Sequence, residues 1–244
     1  MTRALARRGE FSRRLRRWYA RNARDLPWRL TRDPYAVLVS ELMLQQTQVS
    51  RVVARYGEFL ERFPTLRDVA RATPARVMEA WDGLGYYARA RNLHRLAREV
   101  TDRGRAAEAP LPADPAELRG LPGIGAYTAG AVSSFAYERR AALVDTNVAR
   151  VLKRAFAPTV DPKSSHGKRK VWAIAEALLP RTGRATWTHN QALMELGALV
   201  CTARVAHCYR CPVRSLCASA SKPRRGRRRT GTTTQPLHAR EAIL

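Results

Sequence analysis

Residues 118–132 read LRGLPGIGAYTAGAV. Apolar positions on both sides are spaced for helices, and Pro122, Gly123 and Gly125 between them demand a tight turn. The stretch therefore predicts helix, hairpin, helix. Gly123 and Gly125 have no Cβ, so they can take positive φ and bring backbone N–H groups close to an anion at the positive end of the second helix. The same turn also serves as a plain corner between two helices. The basic chain around it favours the first use and makes Gly123, Ile124 and Gly125 candidates for holding a DNA phosphate.

Outward from the hairpin the pattern stays helical. No convincing alternation of apolar and polar residues occurs, whereas spacings of three and four recur, so the fold class is all-α. Phe11, Leu15, Trp18 and Tyr19 mark a first helix. A second runs from about Pro34 to Phe63, with a stripe of Val49, Val52, Val53, Tyr56, Phe59, Leu60 and Phe63 and a break expected near the glutamines. DGLGYY, residues 82–87, divides the next two helices. Asp114, Pro115 and Glu117 form a helix start before the hairpin. Further helices are expected around Ala126–Phe135, Val148–Phe156, Lys170–Leu179 and His189–Val200.

The 244 residues suffice for one large domain or two small lobes without a disulfide framework. Lys and Arg number 45 against 20 Asp and Glu, a formal charge of +25. Such a surface seeks a polyanion, with nucleic acid ahead of an anionic membrane. No run of about eighteen apolar residues is present to span a bilayer. Residues 221–244 contribute +6 of the charge and little to bury, so they read as a disordered basic tail, and most of the basicity belongs to the body. The Arg-rich N-terminus superficially fits a transit peptide, but its apolar residues recur at helical spacing; with no secretory segment, an intracellular protein is expected.

Two carboxylates stand out. Glu41, in SELMLQQTQ (residues 40–48), shares a helix face with Leu38 and Leu44 and is followed by a stretch, Leu42–Ser50, without any charge. A carboxyl desolvated in this way should have a raised pKa and act as a general acid; an exposed glutamate on a polar helix face is the plainer alternative. The amides and hydroxyl after it suit base edges, as cations suit phosphates. Asp145, in ALVDTNVARVLKRAF, stands just before a helix as an N-cap, where backbone N–H groups should keep it ionised. Two carboxyls pushed in opposite directions are what cleavage of a glycosidic bond requires.

Cys201, Cys208, Cys211 and Cys217 are the chain's four cysteines, spaced Cys-x6-Cys-x2-Cys-x5-Cys. Four thiolates in seventeen residues can wrap one centre, and spacing alone permits either structural zinc or an iron-sulfur cubane.

Hairpin, downstream Asp and cysteine loop together resemble the endonuclease III superfamily of DNA glycosylases. LPWR, SELMLQQTQ, GLGYYARARNLH and HNQALMELGALVC resemble its MutY-type adenine glycosylase branch, over residues 11–218. The resemblance implies a two-lobed fold: residues 1–34 with 141–220 as a cluster lobe, and 35–140 as a six-helix barrel carrying the hairpin. It implies a [4Fe-4S] cluster on the four cysteines. It matches Glu41 to the acid that protonates adenine N7, Asp145 to the carboxylate that stabilises the sugar cation, and Tyr127 to the tyrosine of the catalytic pocket. Relatives that also cut the strand carry a lysine at that place, so a monofunctional enzyme is implied. Arg29, Asn147 and Gln191 match pocket residues; Gln45, Gln46 and Tyr87 match residues that wedge into the duplex as the adenine is extruded. The implied partner is double-stranded DNA with a mismatch or damaged base, bound by a monomer in the nucleoid. The branch usually has a further C-terminal domain that recognises 8-oxoguanine, absent from this sequence, which leaves the opposing base open between guanine and 8-oxoguanine. Thymine or uracil opposite guanine is the rival substrate, which the QQTQ segment disfavours; a non-catalytic DNA scanner is the rival class, which the two retained carboxylates disfavour.

Overall fold

The computed structural model of the chain describes residues 6–102 and 111–220; the tail predicted at 221–244 lies outside them. Among the described residues there is no strand; an isolated bridge joins Cys201 and Ala206.

Among the described residues eleven α-helices follow one another: α1 (Arg8–Asn22), α2 (Pro34–Leu44), α3 (Val49–Arg62), α4 (Leu66–Arg71), α5 (Pro74–Ala80), α6 (Ala88–Asp102), α7 (Pro115–Arg119), α8 (Ala126–Phe135), α9 (Thr146–Phe156), α10 (Ser165–Leu178) and α11 (Gly183–Leu199). The helix expected over Pro34–Phe63 is two helices. Its first half, α2, starts where the Asp33 carboxylate accepts the N–H groups of Tyr35 and Ala36, with Pro34 in the first turn. It stops at Gln45, and Gln46 takes a left-handed φ of 57°. The second half, α3, buries Val49, Val52, Tyr56 and Phe59, and Phe63 just beyond it is buried too. Val53 is 42% exposed: it lies one residue off the i, i+3, i+4 stripe.

Two late helices begin earlier than their apolar stripes indicate, because their starts are set by caps. Ser164 Oγ accepts the Gly167 N–H, and Thr182 Oγ1 accepts the Ala185 N–H. Helix α4 was not anticipated; a reciprocal capping box between Thr65 and Asp68 starts it.

Helix α2 is the centre of the molecule. Every residue from Tyr35 to Leu44 is buried, and α2 packs against α3, α6 and α8. Helices α4 and α5 pack on α6, and α7 packs on α8. At the other end α1 packs on α10 and α11, α9 packs on α10 and α11, and α8 reaches α11 to join the two groups. The apolar interior runs as one cluster through both, from Phe11 and Phe156 to Phe59 and Trp81.

The α1–α11 interface encloses His189, fully buried, with Nδ1 3.0 Å from Ser12 Oγ and no partner at Nε2. Burial, reinforced by the charge of Arg16, lowers its pKa from 6.5 to about 3. The unfolded chain therefore takes up a proton near pH 6.5 that the folded chain refuses until about pH 3. Stability present above the first pH should be lost progressively as pH falls toward the second. Denaturant midpoints measured across that window should fall steeply, and His189→Gln should flatten the part of the fall that belongs to this group.

Candidate functional site

Glu41 sits in the last turn of α2, 3% exposed. From the first turn of α8, Tyr127 Oη donates a 2.7 Å hydrogen bond to Glu41 Oε2. Burial pushes the Glu41 pKa up from 4.5 to about 7, against the Tyr127 bond and the charge of Arg29 and with the help of Asp145. The desolvated acid expected from the sequence is therefore present, and Asp145 stands within electrostatic reach of both Glu41 and Tyr127.

Asp145 is the N-cap of α9: its Oδ1 accepts the Val148 N–H at 2.6 Å and its Oδ2 accepts Asn147 Nδ2 at 3.2 Å. The expected opposition of the two pKa values does not hold. Burial pushes Asp145 up as well, and the bonds from Val148 and Asn147 only moderate the rise. The asymmetry lies in the donors. Asp145 receives backbone and side-chain N–H groups, whereas one phenol serves Glu41.

On the far side of Glu41 a cavity of about 20 Å³ is lined by Trp28, Arg29, Glu41, Gln191, Met194 and Glu195 among others. It has room for a water molecule. Arg29, just before α2, gives Nε to Gln191 Oε1 at 3.1 Å and Nη2 to Glu195 Oε2 at 2.7 Å. Asn147 keeps to Asp145 and to Arg150, whose Nη2 donates to Asn147 Oδ1 at 2.5 Å.

The three candidates for the wedge separate. Gln45 turns inward, its Nε2 3.3 Å from Thr128 Oγ1, while Gln46 is exposed on its left-handed backbone. Tyr87 is held at its hydroxyl by Asp82 at 2.6 Å. Its neighbour Tyr86 is the freer ring: 59% exposed, left-handed at φ 48°, with its ring face 5.3 Å from the Arg89 guanidinium. Sequence reading had no means of telling two adjacent tyrosines apart. It also missed Arg89, one arginine among many, whose buried guanidinium donates to the carbonyls of Leu42, Met43, Gln45, Leu84 and Gly85 and to Thr47 Oγ1. Glu195 was missed although a signal existed: like Glu41, it is a lone acid in an apolar helical run.

In the hairpin Gly123 takes a φ of 77°, and no side chain caps α8. Gly125 and Gly123 are exposed and Ile124 is buried beneath them, so the turn offers backbone to solvent and anchors through one apolar side chain.

The four cysteines lie in the loop after α11, all part-buried and none in a disulfide. Among the described residues no three His, Cys, Asp or Glu side chains gather closely enough for a single metal ion. The thiols are nevertheless mutual neighbours: burial, and then the charges of Cys217, Cys201 and Cys208, push Cys211 up to about 11 despite a backbone bond from Val213. Arg154 Nη1 lies 3.2 Å from Cys201 Sγ, and Arg150 and Arg154 both donate to the Cys201 carbonyl. An all-sulfur set beside two cations fits an anionic thiolate cluster.

A model of the HhH-GPD superfamily of base excision DNA repair proteins matches residues 39–177. An adenine DNA glycosylase of Rattus norvegicus is 43% identical over 225 residues, 89% of this chain and 43% of that protein. One of Mycobacterium tuberculosis is 44% identical over 227 residues, covering 89% of this chain and 73% of the relative. The chain thus spans less than half the length of the rat relative. Among solved structures a thermostable thymine-DNA glycosylase superposes with a TM-score of 0.79 at 29% identity, over 88% of this chain and 97% of its own. Endonuclease III in a non-covalent DNA complex shares the fold at a TM-score of 0.72 and 24% identity, over 90% and 97%.

The two hairpin glycines should respond differently to a methyl group. A Cβ at Gly123 would stand 2.6 Å from Asn92 Cβ on a backbone at positive φ, whereas a Cβ at Gly125 meets nothing within 4 Å. Gly123→Ala should cost about 1–3 kcal/mol of stability and weaken duplex binding, and Gly125→Ala should leave stability nearly unchanged. Thermal melts and duplex titrations at one fixed salt concentration check both.

Proposed function

The chain belongs to the HhH-GPD superfamily of base excision DNA repair proteins, and on that premise we propose that it is a monofunctional DNA glycosylase releasing adenine mispaired with guanine or 8-oxoguanine. The observation that carries this reading is the buried Glu41 carboxyl, bonded by Tyr127 and neighboured by Asp145. The similarity to adenine DNA glycosylases over 89% of the chain supports the choice of base.

In the proposed reaction Glu41 gives its proton to adenine N7, and the bond between the base and C1′ of the sugar breaks with its electron pair going to the base. The ionised Asp145 faces the oxocarbenium-like sugar, and water adds at C1′ to leave an abasic site, its released proton returning to the carboxylate that Glu41 has become. Tyr127 cannot form a Schiff base, so no strand cleavage follows. Arg29 and Gln191 would orient the adenine; Gln46, with Tyr86 or Tyr87, would fill the gap left in the duplex. The cavity beside Glu41 is far smaller than a purine, so the base would enter by displacing side chains such as Met194. The hairpin would hold a phosphate, and the positive body would track the backbone. The division into a barrel at 35–140 and a lobe of 1–34 with 141–220 would leave DNA between them, read by a monomer acting inside the cell on the nucleoid.

Thymine or uracil opposite guanine is the second reading, favoured by the superposition on a thymine-DNA glycosylase. Base release from A:G, A:8-oxoguanine, T:G and U:G duplexes separates the two, and exclusive release of thymine would sink the first. With adenine as substrate, Glu41→Gln should lower the rate by about two orders of magnitude or more. For the unaltered protein, activity should decline as pH rises through about 7, where Glu41 gives up the proton it has to donate.

We also assign a [4Fe-4S] cluster to Cys201, Cys208, Cys211 and Cys217; when bound it supplies cross-linking of the loop and four thiolate bonds, and the acid-base chemistry stays with the carboxyls. Purified protein should be brown with broad visible absorbance. Colourless protein carrying one zinc per chain would overturn the assignment.

A further inference from the structure

Glu195 does not belong to the mechanism just described, yet it lines the same cavity as Glu41. It is completely buried near the C-terminal end of α11. Its Oε1 accepts the backbone N–H and Nε of Arg24, each at 2.9 Å, and its Oε2 accepts Arg24 Nη2 at 3.0 Å and Arg29 Nη2 at 2.7 Å. Burial alone would push this carboxyl up, but the two guanidinium groups more than offset it and hold the group below its usual range. Arg29 is thereby pinned from three directions, by Glu195, by Gln191 and by the Arg24 carbonyl, and it cannot swing away from Glu41.

This arrangement meets a conflict in the site. An arginine in a pocket for a neutral base offers hydrogen-bond donors, but its charge draws the proton off a neighbouring acid. Arg29 acts on Glu41 in that direction. A buried carboxylate bonded to the same guanidinium cancels much of that field while leaving the other donors in place.

We propose that Glu195 is a positioning residue that holds Arg29 in the base pocket and screens its charge from Glu41, so that Glu41 keeps its proton near neutral pH. The inference rests on Glu41 being the proton donor. The charged or titratable groups facing Glu41 are Tyr127 from α8, Asp145 at the start of α9 and Arg29 from the turn before α2. Arg24 and Glu195 stand behind Arg29.

The test reads the Glu41 proton directly, by carbon-13 carboxyl titration of the full chain, with the resonance identified by its loss in Glu41→Gln. Glu195→Gln keeps the shape and removes the charge, and should move the Glu41 titration to lower pH by about one unit. Glu195→Asp keeps the charge and should restore it. Arg24→Met leaves Glu195 wholly to Arg29 and should move the titration the other way; it also serves if Glu195→Gln does not fold. In adenine release, Glu195→Gln should lose about tenfold near neutral pH and recover toward the acid side, whereas a purely structural defect would lower the rate equally at every pH. An unchanged Glu41 titration in Glu195→Gln, or a downward shift in Arg24→Met, overturns the inference. A protein that releases no adenine while its Glu41 titration moves as described fails the functional reading and not this one.

Discussion

The burial of one carboxyl group governs the architecture around it. An ionised carboxylate taken out of water costs several kcal/mol unless fully compensated, and a group without that compensation takes up a proton instead. Glu41 stands in the last turn of α2, near the negative end of that helix, with a single phenol donating to it. Of these conditions, burial and the helix end disfavour the anion, and the one bond from Tyr127 only moderates that. For them to hold, α2 must be enclosed on all sides, and the remaining helices are arranged to do so: α3 and α6 on one side, α8 with Tyr127 on another.

Enclosing α2 creates a second difficulty, because the carbonyls of its last turn must find donors away from water. Arg89 resolves it. Its guanidinium lies at the C-terminal end of α2, where a cation is favoured, and takes carbonyls from that end and from the Leu84–Gly85 turn together. This accounts for the neutrality of Leu42–Ser50. The one cation that these carbonyls call for arrives from α6, and a charged side chain within the stretch would compete with it or be buried unpaired. The same bonds fix the turn that presents Tyr86 beside the loop that presents Gln46, so the helix end that carries Glu41 and both exposed segments share a single anchor.

Much of this was legible in the sequence, and the exceptions have physical causes. Periodicity gave the helices because most of them bury one stripe, as α3 does with Val49, Val52, Tyr56 and Phe59. It missed the early starts of α10 and α11, where caps and not apolar contacts decide. Glu41 was readable because an acid in an apolar run has few explanations. Glu195 carried the same signal and went unread for want of a visible partner: Arg24 and Arg29 lie more than a hundred and sixty positions away in the chain. Tyr86 and Tyr87 differ in backbone conformation, in the reach of Asp82 and in the Arg89 guanidinium over the Tyr86 ring, none of which the local sequence spells out.

Burial raises both Glu41 and Asp145, so a difference between them must come from the groups that bond them. Two interacting carboxyls share their protons as a pair, so what matters is which member holds the first one. Asp145 receives N–H bonds from Val148 and Asn147 at the start of a helix, and these stabilise its anion. Glu41 is completely desolvated, and its partner Tyr127 has its own hydroxyl proton locked far above neutral pH by burial and by the two carboxyls. Tyr127 can therefore donate a hydrogen bond but cannot take a proton over. In the proposed mechanism the single proton of the pair belongs on Glu41, with Asp145 as the anion. The opposing carboxyl states that the proposed cleavage requires are thus favoured by a difference in hydrogen-bond donors, with Glu41 buried and Asp145 part-buried.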